Sequence, residues 1–136
     1  MPETTEETLS VLFMCVHNAG RSQMAAGWLQ HLSSDRIKVF SAGSEPSEQI
    51  NPTAVEAMAE MKIDISQNIP MLFDENLMEE IDIVVTMGCG DSCPILPGKT
   101  YLDWQLDDPA NQQLEKVREI RDQIEQKVRL LLKEML

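Results

Sequence analysis

Apolar residues along the chain alternate between short β-prone runs and helical stripes. Val11 to Met14 is an apolar run without polar alternation, which predicts a strand covered on both faces. From Gln23 the period changes. Met24, Ala25, Trp28, Leu29 and Leu32 recur at spacings of three and four, the stripe of a helix packed on a core. Ile37-Lys38-Val39-Phe40-Ser41 alternates towards a second strand, closed by Ala42-Gly43. Asn51-Pro52-Thr53 predicts a helix start, with Asn51 as N-cap and Pro52 in the first helical position. Val55, Met58, Ala59 and Met61 are expected to face the core from that helix. A short helix is expected over 74–80. Ile81 to Met87 is the strongest strand pattern, and Gly88-Cys89-Gly90-Asp91-Ser92-Cys93-Pro94 is the loop leaving it. Lys99 to Trp104 supplies a fourth strand. A long amphipathic helix follows from about Gln112, its buried stripe marked by Leu114, Val117, Ile120, Ile124, Val128, Leu131 and Met135. The charged face opposite that stripe is expected to be solvated.

Strands alternating with helices imply an α/β fold: a single domain with a central four-stranded parallel sheet and helices on both faces. Residues 10–136 form that catalytic domain in this reading, and residues 1–9, acidic and polar, a flexible tail. Active sites in such sheets lie at the carboxyl ends of the strands. That rule puts Cys15, the Cys89–Cys93 loop and Asp107-Asp108 along one rim.

Composition narrows the possible partners. The chain has 136 residues, 43% of them apolar, and a formal net charge of −12. This much negative charge argues against nucleic acid and anionic membranes. No apolar run approaches the length of a membrane span. The acidic start is the opposite of an export signal. The three cysteines are therefore expected in a reducing, cytoplasmic setting, where catalytic thiols outnumber structural disulfides. A monomer is expected.

The chemistry concentrates in Cys15-Val16-His17-Asn18-Ala19-Gly20-Arg21-Ser22, between the first strand and the first helix. A loop entering a helix N-terminus aims backbone N–H groups and the positive dipole end at one point, an anion seat. Cys15 stands at its base, where the same field favours a thiolate. Arg21 can fork two oxygens of a tetrahedral oxyanion. The pattern describes a nucleophile aimed at a phosphate-like group, with the loop residues 16–22 as its cradle.

Two further clusters share the rim. A thiolate attacking an oxyanion needs an acid for the departing oxygen, and Asp107-Asp108-Pro109 precedes the last helix. Those aspartates could equally cap that helix. Cys89 and Cys93 stand four apart in a Gly-rich loop, a separation that can bring two sulfurs to bonding distance and suggests electron supply. A metal site drawing on Cys89, Cys93, His17 and His31 competes with this, but the histidines add no second paired spacing. No metal and no bound cofactor are expected.

The C-x5-R-S motif of Cys15, Arg21 and Ser22, close to the N-terminus, resembles the low-molecular-weight protein tyrosine phosphatase superfamily. Within it, Cys15 to Met24, Val84 to Leu96 with Thr-Met-Gly-Cys and Cys-Pro-Ile-Leu-Pro, and Asp103 to Pro109 resemble arsenate reductases of the three-cysteine, thioredoxin-coupled type. The resemblance implies that Asn18 helps hold the loop's strained turn and that Ser22 hydrogen-bonds the Cys15 thiolate. It makes Asp108 the acid, with Asp107 as fallback. It implies a relay in which Cys15 attacks arsenate, Cys89 attacks Cys15, and Cys93 ends in a Cys89–Cys93 disulfide reduced by thioredoxin. NADPH then supplies electrons through thioredoxin reductase. Fewer residues separate Cys89 from Cys93 than in the better-known enzymes of that type. The alternatives are a mycothiol- or glutathione-coupled reductase, a tyrosine phosphatase, or a non-enzymatic oxyanion sensor. Against the phosphatase, Ala110 stands where those enzymes place an aromatic residue.

Overall fold

The computed structural model describes residues 9–34, 36–88 and 99–135. Of the expected tail over 1–9, residues 1–8 lie outside the described residues, as do Cys89 and Cys93.

Among the described residues eight elements follow in order: β1 (Ser10–Cys15), α1 (Arg21–Ser33), β2 (Lys38–Gly43), α2 (Pro52–Ala59), a 3₁₀ helix (Glu75–Glu80), β3 (Ile83–Thr86), β4 (Thr100–Asp103) and α3 (Leu114–Met135). The four strands form one parallel sheet in the order β2-β1-β3-β4. Chain order reverses between β1 and β3, and a doubly wound sheet opens its crevice at such a switch point. Cys15 ends β1, pairing with Gly43 at the end of β2.

β1 is buried along its whole length, and its alternation divides the core. Val11, Phe13 and Cys15 enter the larger cluster with Met24, Trp28 and Leu29 of α1, Met58 of α2, and Ile120 and Ile124 of α3. Leu12 and Met14 enter a smaller cluster with Met78, Ile81 and Val84, where Phe73, Leu77 and Tyr101 pack half-buried. Burying a side chain such as Phe13 contributes about 1.5–3 kcal/mol, so β1 anchors both layers. Helical cover is unequal. The three α-helices share one face, and the 3₁₀ helix serves the other. Asp74 caps that short acidic helix through the Asn76 N–H at 2.9 Å. Six residues with so little apolar surface form 3₁₀ turns in place of an α-helix.

Asn51 caps α2 as its sequence predicts, Oδ1 accepting from Thr53 N at 2.9 Å and Ala54 N at 3.4 Å. The inward face differs from the expected one. Ala54, Ala57 and Met58 are buried, Val55 is half-buried, and Ala59 and Met61 are exposed. Small side chains at 54 and 57 let α2 sit close to α3, which outweighs the larger apolar residues. The charged side of α3 is likewise not all solvated. Arg121 is buried; its Nη1 donates to Ala57 O at 2.9 Å and to Glu60 Oε1 at 2.8 Å. A cation thus sits against the carbonyl end of α2, where the helix dipole favours it. The helix itself begins at Leu114, two residues past the expected start.

Candidate active site

The segment between β1 and α1 is tied down by the chain that follows β2. Val16 O accepts from Glu45 N at 2.8 Å, His17 O from Ser47 N at 3.0 Å and Ala19 O from Asn51 N at 2.8 Å. The loop's carbonyls are therefore spent on its outer side. A Cβ on Gly43 would stand 2.5 Å from Val16 O and 3.0 Å from Asn18 N, so only glycine lets β2 end this close. Gly20 is the N-cap of α1 and brings no side-chain acceptor, and no acidic residue occupies the first turn. No side chain of the helix itself therefore competes for the N-terminal amides of α1.

Cys15 lies at the base of a cleft of about 450 Å³. The residue is 3% exposed and its Sγ is 2.9 Å from Ser22 Oγ. Ala19, Gly20, Arg21 and His17 line the near wall, Asp108 and Pro109 the far wall. Val16, Asn18 and Ser22, which the sequence also places in the cradle, do not line the cleft; Asn18 and Ser22 are fully buried behind it. His17 is exposed, and its Nδ1–H donates to Glu45 O at 3.0 Å. His31 is on the last turn of α1, edge-on to Trp28, a helix away from the cleft.

Arg21 is 8% exposed. Its Nη1 donates to Leu106 O at 3.3 Å, and its Nη2 lies 3.6 Å from Asp108 Oδ2. Gly88, at φ 90° just past β3, packs against the same guanidinium; a Cβ there would collide with Arg21 Nη1. The arginine is thus held by backbone from the ends of β3 and β4 while its charge faces the cleft.

The two aspartates separate by environment. Asp107 pairs with Lys116 Nζ of α3 at 2.8 Å, away from the cleft. The Lys116 hydrogen bond, with its charge, holds the Asp107 carboxyl below the usual range. Asp108 lines the cleft, with Oδ1 accepting from Ala110 N at 2.9 Å. Neither side chain makes the cap that an Asp before a helix usually makes.

Three residues behind the cradle have no counterpart in the sequence-based list. Gln23 Nε2 donates to Asn18 O and to Asn18 Oδ1, both at 3.1 Å. Met71 N donates to Asn18 Oδ1 at 2.8 Å. Asn68 Nδ2 donates to Gln23 Oε1 at 3.0 Å. Gln23, a large amide at the head of the apolar stripe of α1, was the one local signal of this support.

The profile of the low molecular weight phosphotyrosine protein phosphatase family matches residues 10–136. The chain belongs to this family. Among curated relatives, arsenate reductase 2 of Staphylococcus epidermidis is 40% identical over 119 residues, covering 85% of this chain and 89% of that one. Among solved structures, the thioredoxin-dependent arsenate reductase of Corynebacterium glutamicum superposes with a TM-score of 0.80 at 39% identity. That alignment covers 96% of this chain, which spans 65% of the longer Corynebacterium protein. The structure of an arsenate reductase in the phosphate binding state gives a TM-score of 0.84 at 35% identity, covering 95% of this chain and 100% of that one. In this family member the cleft between the β1–α1 loop, the segment leading into α2 and the segment after β4 is the candidate active site. No helix among the described residues is long and apolar enough to cross a membrane.

Proposed function

We propose that the protein is an arsenate reductase. The observation that carries this reading is the convergence of Cys15, Arg21 and Asp108 on one cleft, in a chain 40% identical to a curated arsenate reductase. Arsenate is tetrahedral and anionic. Arg21 and the amides at the start of α1 supply its positive seat, and Cys15 its nucleophile.

The Cys15 thiolate attacks arsenic(V), and an arsenic-bound oxygen leaves as water after Asp108 protonates it. Cys89 then attacks Cys15 Sγ. The S–As bond breaks, its electron pair stays on arsenic, and arsenite, arsenic(III), departs. The chain is left with a Cys15–Cys89 disulfide. Cys93 attacks the Cys89 sulfur, freeing Cys15 as a thiolate and forming a Cys89–Cys93 disulfide. A thioredoxin dithiol reduces that bond, and NADPH through thioredoxin reductase restores thioredoxin. The Cys89 and Cys93 roles rest on the sequence resemblance, and thioredoxin coupling on the similarity to the thioredoxin-dependent Corynebacterium enzyme. The same reading makes the enzyme a cytoplasmic monomer of one domain over 10–136, arsenical detoxification its task, with no bound cofactor.

Ala110 on the cleft wall offers no ring to grip an aryl phosphate, which favours arsenate over phosphotyrosine. The test is purified protein assayed side by side for arsenate-dependent NADPH oxidation with thioredoxin and its reductase, the same with mycothiol or glutathione systems, and aryl phosphate hydrolysis. Sustained turnover with thioredoxin and poor aryl phosphatase activity are expected. Efficient aryl phosphate hydrolysis without arsenate turnover would overturn the reading.

A further inference from the structure

The hydrogen bond between Cys15 and Ser22 has a direction, and the residues behind it fix that direction. Asn18 is fully buried with its backbone at φ 50°, a left-handed conformation that asparagine tolerates. Its Oδ1 faces the Met71 backbone N–H at 2.8 Å. A backbone N–H only donates, so the oxygen side of the Asn18 amide must face Met71 and the NH₂ side must face away. Asn18 Nδ2 accordingly donates to Ser22 Oγ at 2.7 Å. Ser22 is fully buried and its hydroxyl carries one proton. With Asn18 donating to the oxygen, that proton is left for Cys15 Sγ at 2.9 Å; pointed elsewhere it would be a buried donor without a partner.

Gln23 closes this arrangement. It is 2% exposed, and burying so large an amide is costly unless each polar atom is used. Both Nε2 hydrogens go to Asn18, one to its backbone oxygen and one to Oδ1, and Oε1 accepts from Asn68. Every group in the chain from Asn68 to Cys15 then has one compatible role, the condition under which a buried network rigidifies a site.

We propose that Gln23 is a positioning residue for the reaction: through Asn18 it aims the Ser22 hydroxyl proton at Cys15 and so keeps the sulfur an acceptor, ready to attack. This rests on reading Cys15 as the nucleophile. The test is alkylation of Cys15 by iodoacetamide at neutral pH, followed by peptide mapping so that Cys89 and Cys93 are counted separately. Gln23→Met, close in size but without donors, should slow Cys15 alkylation about tenfold, the loss expected for one hydrogen bond to a charged sulfur. In a Ser22→Ala background the same substitution should change the rate less than about twofold, because the proton it aims is gone. A merely structural Gln23 would lower thermal stability without this dependence on Ser22. Should Gln23→Met fail to fold, Asn68→Ala at an exposed residue gives the second reading: a smaller loss of the same sign, again absent in Ser22→Ala. A wild-type alkylation rate in either folded variant, or losses that multiply in the double variant, would overturn the proposal. Alkylation needs no arsenate, so a protein that failed to reduce arsenate would contradict the proposed activity and leave this result standing.

Discussion

Asp108 presents Oδ2 to Arg21 Nη2 at 3.6 Å across the mouth of the cleft. The carboxyl next to it in sequence, Asp107, is instead drawn to Lys116. One residue of chain separates a group facing the reacting atoms from a group facing α3.

Asp108→Asn should lower arsenate turnover about a hundredfold, because an amide cannot give a proton to the departing oxygen. Oxyanion binding should persist. Asp107→Asn should stay within about threefold of wild type, since an exposed pair with Lys116 does little. Steady-state kinetics of both variants decide the matter. A reversed order would move the acid to Asp107.

Arg21→Lys keeps the charge but not the planar fork that grips two oxygens. The loss in kcat/KM for arsenate should be about 2 kcal/mol or more. Unchanged kcat/KM would remove Arg21 from the clamp.

Gly88 tests the same arginine from behind. At φ 90° an alanine is strained by about 1–3 kcal/mol, and its Cβ would collide with Arg21 Nη1. Gly88→Ala should therefore lower the unfolding midpoint and also kcat/KM, through displacement of Arg21 from Leu106 O. Full kcat/KM with reduced stability would show that the guanidinium does not depend on this contact.

Much of this was legible in the sequence, for a physical reason. The strand runs, the Asn51-Pro52 cap and the Cys15-to-Ser22 spacing are local signals, and local chemistry fixes them. Met71, Asn68 and Arg121 act across the fold, and no periodicity encodes which distant carbonyl or amide a side chain will meet. Even α2 turned Ala54 and Ala57 inward beside Met58 and left Ala59 exposed, because closeness to α3 decided its face and hydrophobicity alone did not. The choice between Asp107 and Asp108 depended on Lys116, eight residues or more along the chain.

The link between α2 and α3 should be visible in acid. Hydrogen bonds from Arg118 and then Arg121 lower the Glu60 carboxyl from the usual 4.5 to about 2. A depressed folded-state value stabilises the fold above the unfolded value and is lost as protons bind. Wild type should lose this contribution progressively between about pH 4.5 and pH 2. Glu60→Gln should flatten that part of a urea-midpoint profile. An identical acid profile in the variant would mean the ion cluster contributes nothing.

The central claim is that Cys15 carries arsenic and passes the oxidation to Cys89 and Cys93. It is tested most directly by exposing Cys93→Ser once to arsenate, counting arsenite and mapping the alkylated peptides. The relay predicts about one equivalent of arsenite per chain, a Cys15–Cys89 disulfide and no further turnover with thioredoxin. The same exposure of Cys15→Ser should release no arsenite. Sustained turnover by Cys93→Ser, or arsenite from Cys15→Ser, would contradict the account.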